Sequence, residues 1–465
     1  MSLLRFMLAA PSSGSGKTLI TCGILKLLKE RGLNVCSFKC GPDYIDPMFH
    51  SRVLGVKSRN LDSFFTDEDT LRYLTAKNSE GADIAVMEGV MGYYDGLAGF
   101  SDKASTYDIA RITKTPVILI VNCKGMSLSV VPYIKGFLEY RKESNIKGVI
   151  LNRISPVLYN KMKDVIEDEL AVKVLGYVPQ LQFSFESRHL GLVMPDEIKG
   201  LQENIADLSG ILKETLDVDK LLCLAESAAP LEKCPDCSGS FYVYEKRGPF
   251  DAKAKRQPLR IGLAKDEAFC FFYEDNLDLL RQMGAVITEF SPIHDEHLPE
   301  GLDGLLLCGG YPELYAKELS ENTSMRLDIS RAVKGGLPTV AECGGFMYLH
   351  EKLQGEDGKY YDMTGVIEGS AYRKETLTRF GYITLSGGKV FGRDTGPLRS
   401  HEFHYYDSEN PGEAFLAQKP LSERSWRCIH STDTLFAGFP HIYFYADKKF
   451  AESFMEAVLR RKNGL

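Results

Sequence analysis

The sequence predicts an α/β protein of two domains, and three observations predict it. Short apolar runs alternate with amphipathic stretches through the first half, the pattern of a parallel sheet covered by helices on both faces. A fresh series of the same kind begins near Arg260, after a stretch that collects Pro230, Pro235, Gly239, Gly248, Pro249 and Pro258 among Lys and Asp. At 465 residues and 52.0 kDa the chain is also too long for one ordinary core. The predicted division is a first domain over 1–220, a linker over 221–258 and a second domain over 259–465.

In the first half the apolar runs are Leu3 to Ala10, Val35 to Phe38, Ile84 to Met87, Val117 to Val121 and Val149 to Leu151. Leu19, Ile20, Ile24, Leu27 and Leu28 form a helix-period apolar face directly after the first run, so the chain enters as strand, loop, helix. In the second half, a strand opens at Arg260 and a helix is predicted near Asn276 to Met283. Further strands follow over Ala285 to Phe290 and Leu305 to Leu307. There is no internal repeat or low-complexity tract.

Composition narrows the function classes. Hydrophobic residues make up 44% and charged residues 26%, the balance of an ordinary globular protein. A net charge of -7, with no stripe of Lys and Arg, argues against nucleic acid as a partner and in favour of small molecules. No run approaches the roughly 18 to 20 apolar residues that span a bilayer, so no membrane association is expected. The first apolar run leads straight into a glycine-rich loop, which makes it a strand and not a signal peptide. The 11 cysteines are scattered and mostly embedded in apolar segments, which reads as reduced thiols and a cytoplasmic location. Cys234 and Cys237 form a lone CxxC without a second pair, and no metal is assigned to them.

Residues Pro11-Ser12-Ser13-Gly14-Ser15-Gly16-Lys17-Thr18 lie between the first strand and the first helix, the context a phosphate-binding loop requires. Gly14, Ser15 and Gly16 can turn backbone N–H groups onto phosphate oxygens. Lys17 is the point charge, and Thr18 can hold Mg²⁺ beside bound ATP. Pro11 stands where the usual pattern has its first glycine. Glu88 ends a buried strand, where a carboxylate can reach Mg²⁺. Lys39, Asp43, Tyr44 and Asp46 follow another strand end and are candidates for positioning an acidic substrate. Either Asp43 or Asp46 can complete the metal shell, although Asp beside Pro is also ordinary turn chemistry. Asn152, with Arg153, ends a further strand and is a candidate for the neighbourhood of the adenine.

The segment Thr339-Val340-Ala341-Glu342-Cys343-Gly344-Gly345-Phe346 runs from a β-prone stretch through a glycine-flanked cysteine into a helix. That is a nucleophile elbow with sulfur in place of oxygen, and the helix N-terminus is expected to favour thiolate. The Gly344 amide can face an oxyanion. A second donor is available from Gly309 or Gly310 at the end of the preceding strand, with Gly310 the candidate adopted. An unperturbed cysteine is only ~3% thiolate at pH 7, so a histidine neighbour is expected. Residue types alone leave His441 and the pair His401 and His404 equally eligible.

Taken together, APSSGSGKT, KCGPDYIDP, MEGVMGYYDG, CGGYPEL, AECGGFMYL and HEFHYYD resemble, in order and across both halves, the cobyrinate a,c-diamide synthase family. The first half also resembles dethiobiotin synthetase, and the second half the class I glutamine amidotransferases. The resemblance implies a P-loop ATPase domain joined to an amidotransferase domain. Cys343 would release ammonia from L-glutamine, while the first domain uses ATP to phosphorylate the a- and c-acetate carboxylates of cobyrinate or a related tetrapyrrole. Hydrogenobyrinate and nickel-sirohydrochlorin are alternative substrates on the same motifs. The resemblance assigns the histidine role to His441 and places His401 to Tyr405 near a domain interface. Many class I amidotransferases carry Glu two positions after that histidine; here the position is Tyr443, so the resemblance supplies no third triad member. Two readings of other classes compete: a P-loop switch ATPase with an inert second domain, and a simple tetrapyrrole-binding protein. The oligomeric state stays open, with a homodimer among the options.

Overall fold

Strands that are apolar along their whole length need cover on both faces, and in the first unit they meet that need in a seven-stranded sheet whose pairings are all parallel. The strands are β1 (Leu4–Ala9), β2 (Val35–Cys40), β3 (Lys57–Leu61), β4 (Ile84–Glu88), β5 (Val117–Asn122), β6 (Ile146–Asn152) and β7 (Lys173–Val178), in the order β3-β2-β4-β1-β5-β6-β7. The structure is a computed structural model that describes residues 3–181, 187–188, 191–192, 200–231 and 258–464. It forms two units, Met1–Cys237 and Ser238–Leu465.

Strand order reverses at β1, with β4 on one side and β5 on the other. That switch point opens a crevice at the carboxyl ends of the strands, where ligands bind in sheets of this kind. Helix α1 (Lys17–Glu30) follows β1 there. Of the two edge strands, β3 carries no apolar run and reads Lys-Ser-Arg-Asn-Leu, while β7 begins at an exposed Lys173 before a mostly buried apolar stretch. Edge strands are solvated on one side, and in β3 the sequence pattern that marks the interior strands is missing.

The predicted linker start at 221 falls inside a helix. After a two-stranded hairpin, β8 (Ser187–Arg188) and β9 (Gly191–Leu192), a 15-residue helix (Leu201–Thr215) leads to another at Val218–Glu226. Leu221, Leu224 and Ala225 of the latter are buried. Beyond it, the fully buried Arg5 of β1 donates to the carbonyls of Thr113 and Ala229. Residues 221–229 therefore pack as part of the first unit. The Cys234 and Cys237 pair lies outside the described residues.

The second unit is built on a six-stranded sheet in the order β11-β10-β12-β13-β23-β22. Its strands are β10 (Leu259–Ala264), β11 (Ala285–Phe290), β12 (Gly304–Leu307), β13 (Thr339–Glu342), β22 (His430–Ser431) and β23 (Leu435–Gly438), with β22 alone antiparallel. The helix predicted near 276–283 spans Glu274–Gln282. A mixed sheet holds β14 (His350–Gln354), β15 (Tyr360–Asp362), β16 (Ile367–Arg373) and β19 (Tyr406–Ser408). An antiparallel sheet holds β17 (Arg379–Ser386), β18 (Leu398–His404), β20 (Phe415–Gln418), β21 (Ser425–Cys428) and β24 (His441–Ile442). Pairing of β24 with β18 sets His441 directly opposite His401.

Candidate functional site

Each unit gathers its chemistry at the carboxyl end of its parallel sheet. In the first, Gly14 and Gly16 turn the loop with φ of 72° and 89°, in the left-handed region that favours glycine. Gly16 is needed for space as well, because a Cβ there would lie 2.8 Å from Asn152 Nδ2. That same Nδ2 donates to Ser15 O at 2.9 Å, so this amide braces the loop. Lys17 is buried and donates to Met91 O at 2.6 Å and to Ser12 O at 3.4 Å, tying the loop to the segment after β4.

Next to it lies a cluster of buried charge. Thr18 Oγ1 is 2.6 Å from Glu88 Oε1 and 3.2 Å from Asp46 Oδ2. Lys39 donates to Glu88 Oε1 at 2.9 Å, to Gly89 O at 3.3 Å and to Asp46 Oδ2. Asp43 stands apart from these contacts. Its Oδ1 accepts the Ile45 N–H at 2.8 Å, the turn chemistry that competes with a metal role, and Tyr44 is buried beside it. Thr18 and Glu88 are thus brought together with Asp46, and not with the Asp43 of the expected set.

His50 was not legible as a site residue. Its Nε2 lies 3.1 Å from Glu88 Oε2, and its Nδ1 lies 3.2 Å from Ser37 Oγ and 3.3 Å from Ser58 Oγ. No motif spacing announces it. It lies in the helical turn Phe49–Val53 that follows the short helix Ile45–Met48, between β2 and β3 in the chain.

Burial decides how these groups titrate. It pushes the Asp46 carboxyl well up, with the neighbouring Asp43 adding to the effect. Burial opposes ionisation of Glu88 too, but Lys39 and then His50 outweigh it and hold that carboxyl well below the usual range. Lys39 is likewise penalised by burial, yet Asp46 and Glu88 together keep it charged. Lys17 has no such surplus of carboxylates: burial, then repulsion from Lys39, brings it down to about 8. Among the described residues no cluster of three or more His, Cys, Asp or Glu side chains is arranged to hold a metal by itself. The oxygens of Thr18, Asp46 and Glu88 nevertheless converge, and such hard donors suit Mg²⁺ when nucleotide phosphates complete the shell.

In the second unit Cys343 joins β13 to the helix Gly344–Leu349 with φ 47° and ψ −102°, a strained conformation for a side-chain-bearing residue. Its N–H donates to Gly438 O at 2.8 Å. A Cβ on Gly345 would collide with Leu307 O, and one on Gly344 would lie 3.0 Å from Gly310 N. The Gly344 and Gly310 backbones therefore lie side by side next to the cysteine, as an oxyanion site requires. A Cβ on Gly309 would lie 2.6 Å from His441 Cε1, so the imidazole rests on Gly309, the residue before Gly310.

His441 is buried, and its ring stacks on His401 with centroids 4.9 Å apart and planes at 21°. Glu342, the residue before the cysteine, places Oε1 3.1 Å from Ile442 N and Oε2 3.6 Å from His441 Nδ1. His404 faces elsewhere: it stacks on Phe439 at 4.0 Å, and its Nδ1 lies 2.6 Å from Tyr406 O. Of the three candidate histidines, His441 meets both Glu342 and Gly309. His401 and His404 are buried beside it in the second unit, where burial keeps both from protonating, and His404 is brought down to about 3.

The expected thiolate is not the resting state. Burial pushes the Cys343 thiol well up, Glu313 adds to the rise, and the Gly344 amide offsets only part of it. A site of this kind needs a base to remove the proton as substrate reacts.

Both sequence halves match known families. Residues 6–190 match the CobQ/CobB/MinD/ParA nucleotide binding domain, and residues 260–449 match the CobB/CobQ-like glutamine amidotransferase domain. The chain is 41% identical to the cobyrinate a,c-diamide synthase of Listeria innocua over 450 residues, covering 95% of this chain and 96% of that one. It is 38% identical to the enzyme of that name from Caldanaerobacter subterraneus, covering 97% of each chain. To the one from Salmonella typhimurium it is also 38% identical, covering 98% of each. Among the described residues no helix is long and apolar enough to cross a membrane.

Proposed function

From the premise that the chain belongs to the cobyrinate a,c-diamide synthase family, we propose that it converts the a- and c-acetate carboxylates of cobyrinate to amides, with glutamine as nitrogen donor and one ATP per amide. The observation that carries the reading is the presence, in one chain, of a charged phosphate-loop crevice and a strained cysteine elbow.

In the second unit His441 takes the Cys343 thiol proton as sulfur attacks the carboxamide carbon of glutamine. The Gly344 and Gly310 N–H groups hold the oxyanion. As the C–N bond breaks, His441 returns the proton to the leaving nitrogen, ammonia departs, and water then cleaves the thioester to glutamate. In the first unit the loop amides and Lys17 hold the ATP phosphates. A substrate carboxylate oxygen attacks the γ-phosphorus, giving an acyl phosphate and ADP, and ammonia displaces phosphate from the acyl carbon. Thr18, Asp46 and Glu88 would hold Mg²⁺, which would supply charge neutralisation to the nucleotide phosphates. Lys39 holds Glu88 ionised and offsets part of the burial cost at Asp46, beside the place an anionic substrate would take.

The test is product mass spectrometry with ATP, Mg²⁺ and glutamine, offering cobyrinate, hydrogenobyrinate and nickel-sirohydrochlorin in parallel. Cobyrinate is expected to gain two amides. Cys343→Ala is expected to lose glutamine-dependent synthesis by about 10³-fold or more while still using ammonia. ATP hydrolysis without amidation of any macrocycle would put the switch-ATPase reading ahead.

A further inference from the structure

Resting on the proposed glutaminase reaction, we infer that Glu342, the residue immediately before the nucleophile, is the positioning carboxylate for His441, in place of the glutamate that many class I amidotransferases carry two residues after the histidine. The position two residues on is Tyr443, and it is occupied elsewhere: its buried hydroxyl lies 3.0 Å from Asp275 Oδ2. Asn276 fixes the surrounding backbone, with Nδ2 donating to Ile442 O at 2.8 Å and Oδ1 accepting the Phe444 N–H at 2.8 Å. The segment that would present an orienting glutamate is clamped toward the helix Glu274–Gln282.

Glu342 approaches the histidine from the other side. It ends β13, paired with Gly438 of β23, and its side chain is 8% exposed. A carboxylate so buried is costly without partners. Its Oε1 accepts the Ile442 N–H at 3.1 Å, which anchors the carboxylate to β24, and its Oε2 then stands 3.6 Å from His441 Nδ1. Ser400 Oγ donates to His441 O at 2.7 Å, His401 stacks on one face of the ring, and Gly309 lies at its Cε1 edge. With the ring held this way, Nδ1 is the nitrogen that faces a carboxylate, which leaves Nε2 to accept the thiol proton.

The carboxylate has no direct use for the cysteine. Its negative charge adds to the factors that keep the Cys343 thiol protonated. It helps only by acting through His441: Nδ1–H directed at Oε2 selects the tautomer with its lone pair on Nε2, and the carboxylate then stabilises the imidazolium that forms when the thiol proton moves. No proton passes to Glu342. A separation of 3.6 Å is longer than a hydrogen bond, and such contacts in an unliganded site shorten in the complex with substrate.

The experiment compares Glu342→Gln and Glu342→Asp in the full chain, reading glutamate release at varied glutamine with ammonia-dependent amidation alongside. The glutamine variant keeps the length and the oxygen that accepts the Ile442 N–H but loses the charge; the aspartate variant keeps the charge and is one methylene shorter. If Glu342 positions His441, Glu342→Gln loses about 10²- to 10³-fold in kcat with KM for glutamine changed little, and Glu342→Asp retains more activity than Glu342→Gln. If the carboxylate only anchors β24, the order reverses, and Glu342→Gln within threefold of the unaltered protein overturns the role outright. Unaltered protein that releases no glutamate removes the proposed reaction and this role together, which separates the two failures.

Discussion

The two crevices solve opposite problems at the same place in the sheet. In the first unit, Lys17, Lys39, Asp46, Glu88 and His50 are all buried, and Lys39 is paired with Asp46 and Glu88 before any ligand arrives. In the second, the Cys343 thiol is neutral at rest, and what is stored is backbone strain at Cys343 together with an uncharged His401 stacked on His441. A site that must receive polyphosphate is prepared with charge; a site that must generate a nucleophile only when substrate is present is prepared with geometry. The contrast predicts that electrostatic substitutions damage the first unit through its stability and the second through its rate.

The largest effect on stability is expected at Lys39. Replacing it with Met leaves Asp46 and Glu88 buried without their shared cation, a change that costs about 3–5 kcal/mol when one partner of a buried ion pair is removed. Far-UV circular dichroism in urea should show the loss. Trp426, the only tryptophan, lies in the second unit, so its fluorescence transition should stay in place. A Lys39→Met chain that is less than 1 kcal/mol weaker would mean that the cluster is not held together by this cation.

A smaller effect of opposite sign is expected in the second unit. Burial pushes the Glu402 carboxyl up to about 7, only partly offset by Arg379 and Lys419. Between its ordinary value of 4.5 and about 7 the unfolded chain binds fewer protons at this group than the folded one, so stability falls as pH rises through that window. The loss is of order 3 kcal/mol if nothing else titrates. Glu402→Gln should therefore raise the melting temperature at pH 8 by several degrees and leave it unchanged at pH 4. An equal gain at both values would detach the effect from ionisation.

The sequence made the interior of each sheet legible and its edges obscure. Apolar runs announced β1, β2, β4, β5 and β6, whereas β3 carries polar residues because an edge is partly solvated. The turn of the loop between β1 and α1 was legible because Gly14 and Gly16 stand where the chain adopts positive φ. His50 and Glu342 were not. Each acts on a residue far away in the chain or across a sheet, and no spacing encodes a contact made by a turn or by strand pairing. The linker start was placed too early for a related reason: Leu221 and Leu224 look like the last apolar residues before a Pro-rich stretch, and only the packing of Val218–Glu226 assigns them to the first core.

The smallest predicted effect bears most directly on the comparison, because it asks whether the charge stored in the first unit is tuned for its ligand. Lys17 is held at about 8, below its ordinary 10.5, by burial and by Lys39. In the unliganded protein its ammonium is therefore lost as pH rises through about 8, while in the unfolded chain it persists to about 10.5. Two consequences follow with opposite signs. The unliganded fold gains stability over that interval, because the unfolded chain binds more protons there, and ATP binds more weakly, because the phosphates need the protonated form. Between pH 7 and pH 9 the dissociation constant for ATP, measured by titration calorimetry at constant Mg²⁺, should rise about tenfold. A constant that does not change would mean that the carboxylates around Lys39 also keep Lys17 charged, and that the two lysines share one electrostatic environment instead of dividing it between substrate and nucleotide.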